Sequence, residues 1–377
     1  ERGSEPEEKG QGGKGGQKEL EREVLGAGRC TGCGACVNIC PYQATYRDRT
    51  VILHACDLSQ GRCWAACPRT PADLPALRQR FEGADLTPEL GPFRGLYLTR
   101  AADEGIRRRS QHGGTVSALV ALALREGWID AAVLAGKGEG LLPQPVTVRD
   151  PEAVAGLAGS RFVVSPTVAE FNRTIVSDAT RIGVVATPCQ ALALAKMRTL
   201  SVTDPDRDMG KLGLVVGLFC GWTLAWTKLT ALLGGKTDLA AITGMDIPPS
   251  RYHTLEVYTP AGTLPVSLDE VNPCVRDACR SCDDMTAEFS DLSVGSARLP
   301  GGWQEARSWN QVIVRTERGR DLLETARSRG VLEFRDVPEG NLERLKAASL
   351  GKKRAAAEAS GKTAAAPAPA DRQEGRP

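Results

Sequence analysis

The chain has 377 residues, of which 41% are hydrophobic, and its formal net charge at pH 7 is +2. This length allows about two to three domains with buried cores. The nearly balanced charge gives no sign of a surface that binds nucleic acid or an anionic membrane. The first residues contain no apolar signal segment, and the longest apolar run, 212–227, is shorter than the roughly 20 residues of a membrane-spanning helix. We therefore expect a cytoplasmic protein with no membrane span and no nucleic-acid partner.

The N-terminal part of the chain carries a dense group of cysteines. The segment CTGCGACVNICP, residues 30–41, has the spacing C-x2-C-x2-C-x3-C-P. Bacterial ferredoxins use this spacing to ligate [4Fe–4S] clusters. With twelve cysteines in the chain, the motif indicates metal ligands in a reducing compartment rather than disulfides. Residues 27–75 are predicted to form a ferredoxin-type module, preceded by a polar, disordered tail at 1–26.

A second, degenerate motif, CDLSQGRCWAACP, follows at residues 56–68. In two-cluster ferredoxins the fourth cysteine of each motif ligates the other cluster. The predicted ligands are Cys30, Cys33, Cys36 and Cys67 for one cluster, and Cys40, Cys56 and Cys63 for the other. Three cysteines hold a [3Fe–4S] centre, or a [4Fe–4S] cluster whose fourth ligand is Ser59 or Asp57. The alternatives are a single cluster on the four cysteines of the first motif and, with a poorer match in spacing, zinc.

Strands alternate with helices after a connector that ends near residue 94. Strand Ala131–Leu134 follows helix Thr115–Glu126, and a helix starting at Pro188 follows strand Gly183–Ala186. Such alternation predicts an α/β (α+β) fold with a mostly parallel sheet. We divide this domain into two parts, 95–205 and 206–345. The second part contains a predicted β-hairpin in the segment TLEVYTPAGTLPVSL, and residues 346–377 are expected to be a mobile tail.

Four later cysteines are candidates for one further site. Cys189 and Cys220 each follow a predicted parallel strand, at the sheet edge where open α/β sheets bind ligands. Cys279 and Cys282 form a C-x2-C pair. The four thiols could hold a [4Fe–4S] cluster or a structural zinc ion, or they could be ordinary buried thiols. Cys274 extends the pair to C-x4-C-x2-C, but no cysteine follows to complete a plant-type site.

Six segments resemble, in the same order, the coenzyme F420 hydrogenase/dehydrogenase beta-subunit family. They are SQHGGTVSALVALALREGWIDAAVLAG, GSRFVVSP, ATPCQALALAKMR, GLFCG, CRSCDD and WNQVIVRTERG, spread over about residues 95–335. The resemblance implies a flavin, usually FAD, and a nearby [4Fe–4S] cluster on Cys189, Cys220, Cys279 and Cys282. It also implies partners: other subunits of a redox complex, and F420, NAD(P)H or ferredoxin as electron partner.

The segment HGGT before a helix is the predicted flavin anchor. At Gly113 and Gly114 the backbone can approach a phosphate, and the helix that starts at Thr115 presents free N–H groups. The other predicted flavin contacts, some through the resemblance, are Ser160, Arg161, Asn310 and Arg315, and the predicted catalytic residue is His112 as a ring-edge donor or proton relay. The alternatives are that Ser160 and Arg161 lie in a surface turn, that Asn310 and Arg315 serve strand packing, and that His112 is an ordinary loop histidine. The chain departs from the family pattern at QHGG and at Ser296, where relatives often carry an acidic residue.

Together these features predict an oxidoreductase subunit that converts two-electron hydride transfer at FAD into one-electron transfer along two to three clusters. The complex would be a hydrogenase, a formate dehydrogenase or similar. Two alternatives remain open. One is a stand-alone, ferredoxin-dependent flavoenzyme that reduces an organic substrate, and the other is an electron-transfer adaptor without flavin.

Overall fold

The computed structural model describes residues 15–200, 207–248, 253–299 and 303–361. The outer parts of the two expected tails, 1–14 and 362–377, lie outside the described residues. In the described part of the chain, no helix is long and apolar enough to cross a membrane.

The N-terminal module is small and built around cysteine loops. It consists of helix α1 (Gln17–Leu20), a π-helical turn (Glu21–Leu25), the antiparallel strands β1 (Gln43–Tyr46) and β2 (Arg49–Ile52), and helix α2 (Arg62–Ala65). The disorder expected for residues 1–26 is therefore wrong for 17–25. Leu20 and Val24 explain the difference, because they are buried and pack in one cluster with Trp64.

The connector between the module and the large domain also has regular structure. It contains helix α3 (Leu74–Arg78), a 3-10 turn (Gln79–Phe81) and a short antiparallel pair, β3 (Asp85–Thr87) and β4 (Gly91–Phe93). Asp73 caps α3 by accepting a hydrogen bond from the backbone N–H of Ala76.

The large domain is formed by the remaining strands and helices. Its strands are β5 (Gly95–Ala101), β6 (Ala131–Gly136), β7 (Gln144–Val148), β8 (Ile182–Ala186), β9 (Leu212–Leu218), β10 (Gly244–Asp246), β11 (Thr254–Thr259), β12 (Gly262–Ser267), β13 (Leu292–Ser296), β14 (Asn310–Val314) and β15 (Leu332–Arg335). Its α-helices are α4 (Glu104–Arg109), α5 (Thr115–Arg125), α6 (Thr167–Thr174), α7 (Pro188–Arg198), α8 (Trp226–Gly234), α9 (Leu268–Val271), α10 (Asp277–Arg280), α11 (Trp303–Ala306), α12 (Glu317–Ser328) and α13 (Asn341–Ala359). Further 3-10 turns lie at Pro151–Leu157, Met209–Lys211, Leu239–Ala241 and Asn272–Cys274.

Eight of these strands form one sheet in the order β15-β5-β14-β13-β9-β8-β6-β7. The central strands β13, β9, β8 and β6 pair in parallel, whereas the pairings on both flanks are antiparallel. The α/β fold class is confirmed. The strands of the two predicted parts, 95–205 and 206–345, join in this single sheet. The predicted hairpin is confirmed as β11 and β12, which form a separate three-stranded sheet with β10.

Helices cover both faces of the large sheet. One face packs against α5 and α12, whose apolar side chains form a core with β6, β9 and β13. The other face packs against α6 and α7 in a core that also contains Cys33 and Ile39 of the N-terminal module. The module thus lies against the α6–α7 side of the sheet, and Asn172 fastens it there by donating to the carbonyls of Ala35 and Val37 at 3.2 and 2.8 Å.

The segment expected to be a mobile C-terminal tail is helical as far as Ala359. Helix α13 has few large apolar side chains, but Leu345 is fully buried in a cluster with Leu90, Met285 and Ile313. The expectation for residues 346–359 is therefore wrong. Packing against distant parts of the chain stabilises a helix that its Ala- and Lys-rich sequence alone did not indicate.

Candidate functional site

A cavity of about 500 Å³ opens at the carboxyl ends of the central parallel strands. The ends of β8, β9 and β13 contribute to its wall, as does the start of α5. Parallel strands leave their following loops at one edge of the sheet, and this edge is where α/β proteins bind ligands. Of the predicted flavin-site residues, those that line the cavity are His112, Gly114, Thr115, Ser160, Arg161 and Asn310.

The glycine pair before α5 is required by close packing. Gly114 has a φ of 78°, a left-handed conformation that favours glycine. A Cβ at Gly113 would lie 2.9 Å from Oδ1 of Asn310, so a side chain does not fit there. Gly113 is not among the cavity-lining residues, and its backbone carbonyl accepts a hydrogen bond from Ala101. The pair therefore brings the start of α5 against the strands.

Asn310 and Arg315, both predicted as flavin contacts, form hydrogen bonds that join separate parts of the protein. Asn310 lines the cavity, but its Oδ1 accepts from the N–H of Thr115 at 3.1 Å and its Nδ2 donates to Gly295 O at 3.3 Å. Arg315 is fully buried away from the cavity lining. Its guanidinium donates to the carbonyls of Leu90, Pro92 and Thr286 and to the hydroxyls of Ser293 and Thr286. Strand packing, the alternative stated above, describes Arg315.

Arg161 brings an uncompensated positive charge to the cavity wall. Its only hydrogen bond among the described residues runs from Nη1 to the carbonyl of Ser160 at 3.2 Å, and no carboxylate pairs with it there. Burial lowers the pKa of Arg161. Ser165, which the sequence analysis missed, also lines the cavity, and its buried Oγ has no partner among the described residues. An arginine without a carboxylate partner and a hydroxyl without a protein partner are suited to an anionic, oxygen-rich ligand.

His112 lies on the same wall and contacts Ser296. The imidazole Nε2 is 2.6 Å from the hydroxyl oxygen of Ser296, and the buried Nδ1 has no partner among the described residues. Burial, and to a lesser degree the charge of Arg307, lowers the pKa of His112 to about 4. The imidazole is therefore neutral at pH 7. Ser296 contacts its Nε2, and its Nδ1 is available to a ligand in the cavity.

The rim of the cavity carries a polar pair that sequence reasoning also missed. Gln111 donates from Nε2 to a carboxylate oxygen of Asp246 at 2.5 Å. Burial raises the pKa of Asp246, while Gln111 and Arg307 oppose this effect. No sequence motif marks Asp246, because it ends a three-residue strand of the small sheet and meets the loop before α5 only in the folded chain.

The four later cysteines converge beside the cavity. Burial raises the pKa of Cys189 to about 12, and the nearby thiols of Cys33, Cys282 and Cys279 contribute to this shift. Burial and neighbouring cysteines likewise raise the pKa values of Cys220 and Cys282. Thiols that influence one another in this way lie in one group. We call Cys189, Cys220, Cys279 and Cys282 the inner cysteine site.

The inner cysteine site shares residues with the cavity wall. Cys220 itself lines the cavity. Thr187, at the N-cap of α7, also lines it, and its hydroxyl lies 3.4 Å from Sγ of Cys189. Thr223 also lines the cavity, and its hydroxyl lies 3.4 Å from Sγ of Cys279. A ligand in the cavity is therefore separated from this site by no more than these side chains.

A lysine from the C-terminal helix reaches the inner cysteine site. Nζ of Lys352 donates to the carbonyls of Cys220 and Asp284 at 2.7 and 2.8 Å. Burial tends to lower the pKa of Lys352, but the nearby Cys282 and Cys220 raise it above its usual value. No sequence motif marks this residue, because it lies in a segment whose composition is typical of a mobile tail.

The cysteines of the N-terminal module form two further groups. Burial and nearby Cys67 raise the pKa of Cys33 to about 12, and burial and Cys30 raise that of Cys67 to about 11. The pKa of Cys36 is raised by burial and by the same neighbours. We call Cys30, Cys33, Cys36 and Cys67 the middle cysteine site. Cys33 also raises the pKa of Cys189, so the middle site lies next to the inner one.

The third group matches the remaining module cysteines. Burial raises the pKa of Cys63, Gln43 opposes this through a hydrogen bond, and Cys40 and Cys56 raise it further. We call Cys40, Cys56 and Cys63 the outer cysteine site. Among the described residues, no three His, Cys, Asp or Glu side chains are arranged to hold a single metal ion. Cys274 is buried in an apolar core around the small sheet.

Comparisons with known proteins relate the chain to one family. The profiles described as coenzyme F420 hydrogenase/dehydrogenase beta subunit, N-term and C terminus, match residues 96–170 and 179–340, and a 4Fe-4S binding domain profile matches 24–45. The coenzyme F420 hydrogenase subunit beta of Methanothermobacter thermautotrophicus is 30% identical over 272 residues, which are 68% of this chain and 92% of that protein. The protein of the same name from Methanococcus voltae is 28% identical over 275 residues, which are 70% of this chain and 92% of that protein.

A solved structure gives the same result. A chain from the xenon-derivatised F420-reducing [NiFe] hydrogenase complex of Methanosarcina barkeri superposes with a TM-score of 0.65 at 26% identity. The match covers 73% of this chain and 93% of that one. The chain therefore belongs to the coenzyme F420 hydrogenase/dehydrogenase beta-subunit family of iron–sulfur oxidoreductase subunits.

Proposed function

We propose that this chain converts two-electron hydride transfer at FAD into one-electron transfer along [4Fe–4S] clusters, as a subunit of a larger redox complex. Its electron partner would be F420, NAD(P)H or ferredoxin. One observation carries the proposal: a single cavity is bordered both by the unpaired Arg161 and by Cys220 of the inner cysteine site. A cytoplasmic location remains part of the proposal.

The cavity residues fit a flavin nucleotide. The volume of about 500 Å³ lies within the roughly 300–1,000 Å³ usual for cofactor pockets. Arg161 supplies a cation for phosphate oxygens, and the unpartnered hydroxyl of Ser165 supplies a donor. Gly114, the N-cap of α5, and Thr115 line the cavity, so the N-terminus of this helix lies at its wall. We assign phosphate binding to Arg161, Ser160 and the start of α5.

A bound flavin supplies the chemistry of exchanging a hydride with one partner and single electrons with another. The chain's own residues orient the ring and manage protons. Ser296 holds Nε2 of His112, so that Nδ1 remains free to hold or move a proton within the cavity. Because His112 is neutral at pH 7, it can accept a proton there without first losing one.

The three cysteine sites fit iron–sulfur clusters. Each is a group of at least three cysteines whose thiols lie near one another. Cys220 borders the cavity, and Cys33 lies close enough to Cys189 to raise its pKa. Cys63 of the outer site packs in one cluster with Cys36 and Cys67 of the middle site, so the order from the cavity is the inner, the middle and then the outer site. This order supports the assignment of the ferredoxin module as the exit or entry of the electron path.

Anaerobic purification followed by flavin release and iron counting on one sample tests the proposal. About one FAD with roughly eleven to twelve irons per chain is the expected result, the range reflecting a [3Fe–4S] or [4Fe–4S] outer cluster. About eight irons with flavin would remove the outer cluster and leave the rest. Iron without flavin would contradict the proposal and leave an electron-transfer adaptor. Co-purification with other subunits separates the complex subunit from a stand-alone flavoenzyme.

A pair of arginine variants tests the flavin site itself. We expect Arg161→Gln to lose flavin while its iron content stays at the wild-type value. Arg108→Gln is the matched control, because Arg108 is an exposed arginine on α4 paired with Glu104. Equal flavin retention in both variants would remove Arg161 from the site.

A further inference from the structure

We propose that the ammonium group of Lys352 raises the reduction potential of the cluster at the inner cysteine site. This inference rests on the proposed function, because it requires a cluster at Cys189, Cys220, Cys279 and Cys282. Lys352 lies outside the segment 179–340 that the family profile matches.

The contacts of Lys352 join the two loops that carry most of the inner site. Its Nζ donates to the carbonyl of Cys220 at 2.7 Å, directly after β9. The same Nζ donates to the carbonyl of Asp284 at 2.8 Å, two residues beyond Cys282. The backbone is also tied here, since the N–H of Cys220 donates to Met285 O at 2.9 Å. The ammonium therefore lies where the Cys220 loop meets the Cys279–Cys282 loop.

Helix α13 holds the lysine in this position. Residues on the same face as Lys352 are buried or bonded to distant parts of the chain: Asn341 donates to Arg298 O at 2.8 Å, and Ser349 donates to Glu89 O at 2.6 Å. Leu345 is fully buried, and α13 also packs against α10, which carries Cys279. A helix anchored by these contacts limits how far the side chain of Lys352 can swing away.

The carboxylate of Asp284 is close enough to contribute to the raised pKa of Lys352, but it is not bonded to the ammonium group. Within the described residues Lys352 has no ion pair, and the carboxylate of Asp284 instead accepts from the N–H groups of Thr286 and Glu288, both at 2.8 Å. A cluster gains one negative charge when it is reduced. A fixed cation in a region of low dielectric stabilises the reduced form more than the oxidised form. The potential of the site is therefore expected to fall when this charge is removed.

The test is a redox titration, monitored by electron paramagnetic resonance, of the full-length chain purified anaerobically. The variants are Lys352→Gln, which removes the charge but keeps a donor, and Lys352→Arg, which keeps the charge. The control is Lys211→Gln, because Lys211 is also a partly buried lysine that donates to two carbonyls, those of Ile175 and Ser177. The signal of the inner site is identified as the one that disappears in Cys279→Ser.

We expect Lys352→Gln to shift this one midpoint potential to a more negative value, with Lys352→Arg and Lys211→Gln close to the wild type. An unchanged potential in Lys352→Gln, with full iron content, would overturn the inference. Lys352→Gln could also lose iron. In that case, retention of iron by Lys352→Arg supports a role for the positive charge, and loss of iron from both variants overturns the inference. If Cys279→Ser leaves iron and signals unchanged, the proposed function fails instead.

Discussion

Nε2 of His112 lies 2.6 Å from the hydroxyl oxygen of Ser296, so the loop before α5 is bonded directly to the end of strand β13. These are two positions at which the chain departs from the motif that it otherwise resembles. The departures are thus a single local feature of the cavity wall. The imidazole of His112 is neutral at pH 7 and the hydroxyl of Ser296 is uncharged. The pair therefore adds no charge that would change the protonation of a ligand in the cavity.

The low pKa of His112 predicts a pH dependence of stability. In the unfolded chain a histidine has a pKa near 6.5, whereas in the folded chain burial lowers the pKa of His112 to about 4. Between these values the unfolded state binds more protons, so stability falls as the pH falls. The expected loss is about 1.4 kcal/mol of unfolding free energy per pH unit in this window. Thermal unfolding at pH 7 and pH 5 should show a smaller decrease in Tm for His112→Gln than for the wild type.

The control for this prediction is His54→Gln, since His54 is an exposed histidine of the N-terminal module. It should retain the full decrease in Tm of the wild type. Equal decreases in all three chains would mean that His112 is protonated in the folded state at pH 5.

Arg315 is expected to matter for folding and not for flavin binding. Its guanidinium satisfies the carbonyls of Leu90, Pro92 and Thr286 in the protein interior. Replacing it with methionine leaves these groups buried without donors, at a cost on the order of 3–5 kcal/mol. We expect Arg315→Met to lower the yield of folded protein and the Tm, while flavin per folded chain stays the same. Selective loss of flavin at an unchanged Tm would restore Arg315 to the cofactor site.

The contrast between Arg315 and Arg161 shows what sequence can and cannot predict here. Both arginines lie in segments that resemble the family. Arg161 follows a short irregular segment and has no protein acceptor beyond its neighbour Ser160 among the described residues. Arg315 follows a buried strand and reaches carbonyls more than 220 residues earlier in the chain. Such long-range bonds leave no periodic signal in the sequence, so the sequence alone does not distinguish their residues from ligand contacts.

The regular elements can be predicted better than the ends of the chain. Strand β8, the helix starting at Pro188 and the hairpin of β11 and β12 carry strong local signals: β-branched runs, a proline at the first helical turn, and alternation about a turn. Helix α13 has no such signal, because its stability depends on packing by Leu345 against Met285 and Leu90. The position of Lys352 could not be predicted for the same reason.

Lys196 is expected to hold the middle cysteine site against the large domain. It is a buried residue of α7, and its Nζ donates to the carbonyls of Cys67, Thr70 and Pro71 at 2.6, 3.2 and 3.1 Å. Lys196→Met removes these donors, with a cost of about 1–3 kcal/mol for the carbonyls left without partners. We expect faster release of iron to a chelator from this variant. Lys211→Met is the control, and equal rates in the two variants would count against the role of Lys196.

We expect the cluster of the outer cysteine site to be the most easily lost of the three, because the motif of this site is incomplete. Gln17 ties the site to α1: its Oε1 accepts from the N–H of Cys56 at 2.7 Å, and its Nε2 donates to His54 O at 2.9 Å. We expect Cys63→Ser to lose about three to four irons per chain and to keep about eight, with flavin unchanged. Cys274→Ser is the matched control, since Cys274 is a buried thiol in an apolar core. If Cys63→Ser keeps the full wild-type iron content, Cys63 is not a ligand, and the module carries its iron on other residues.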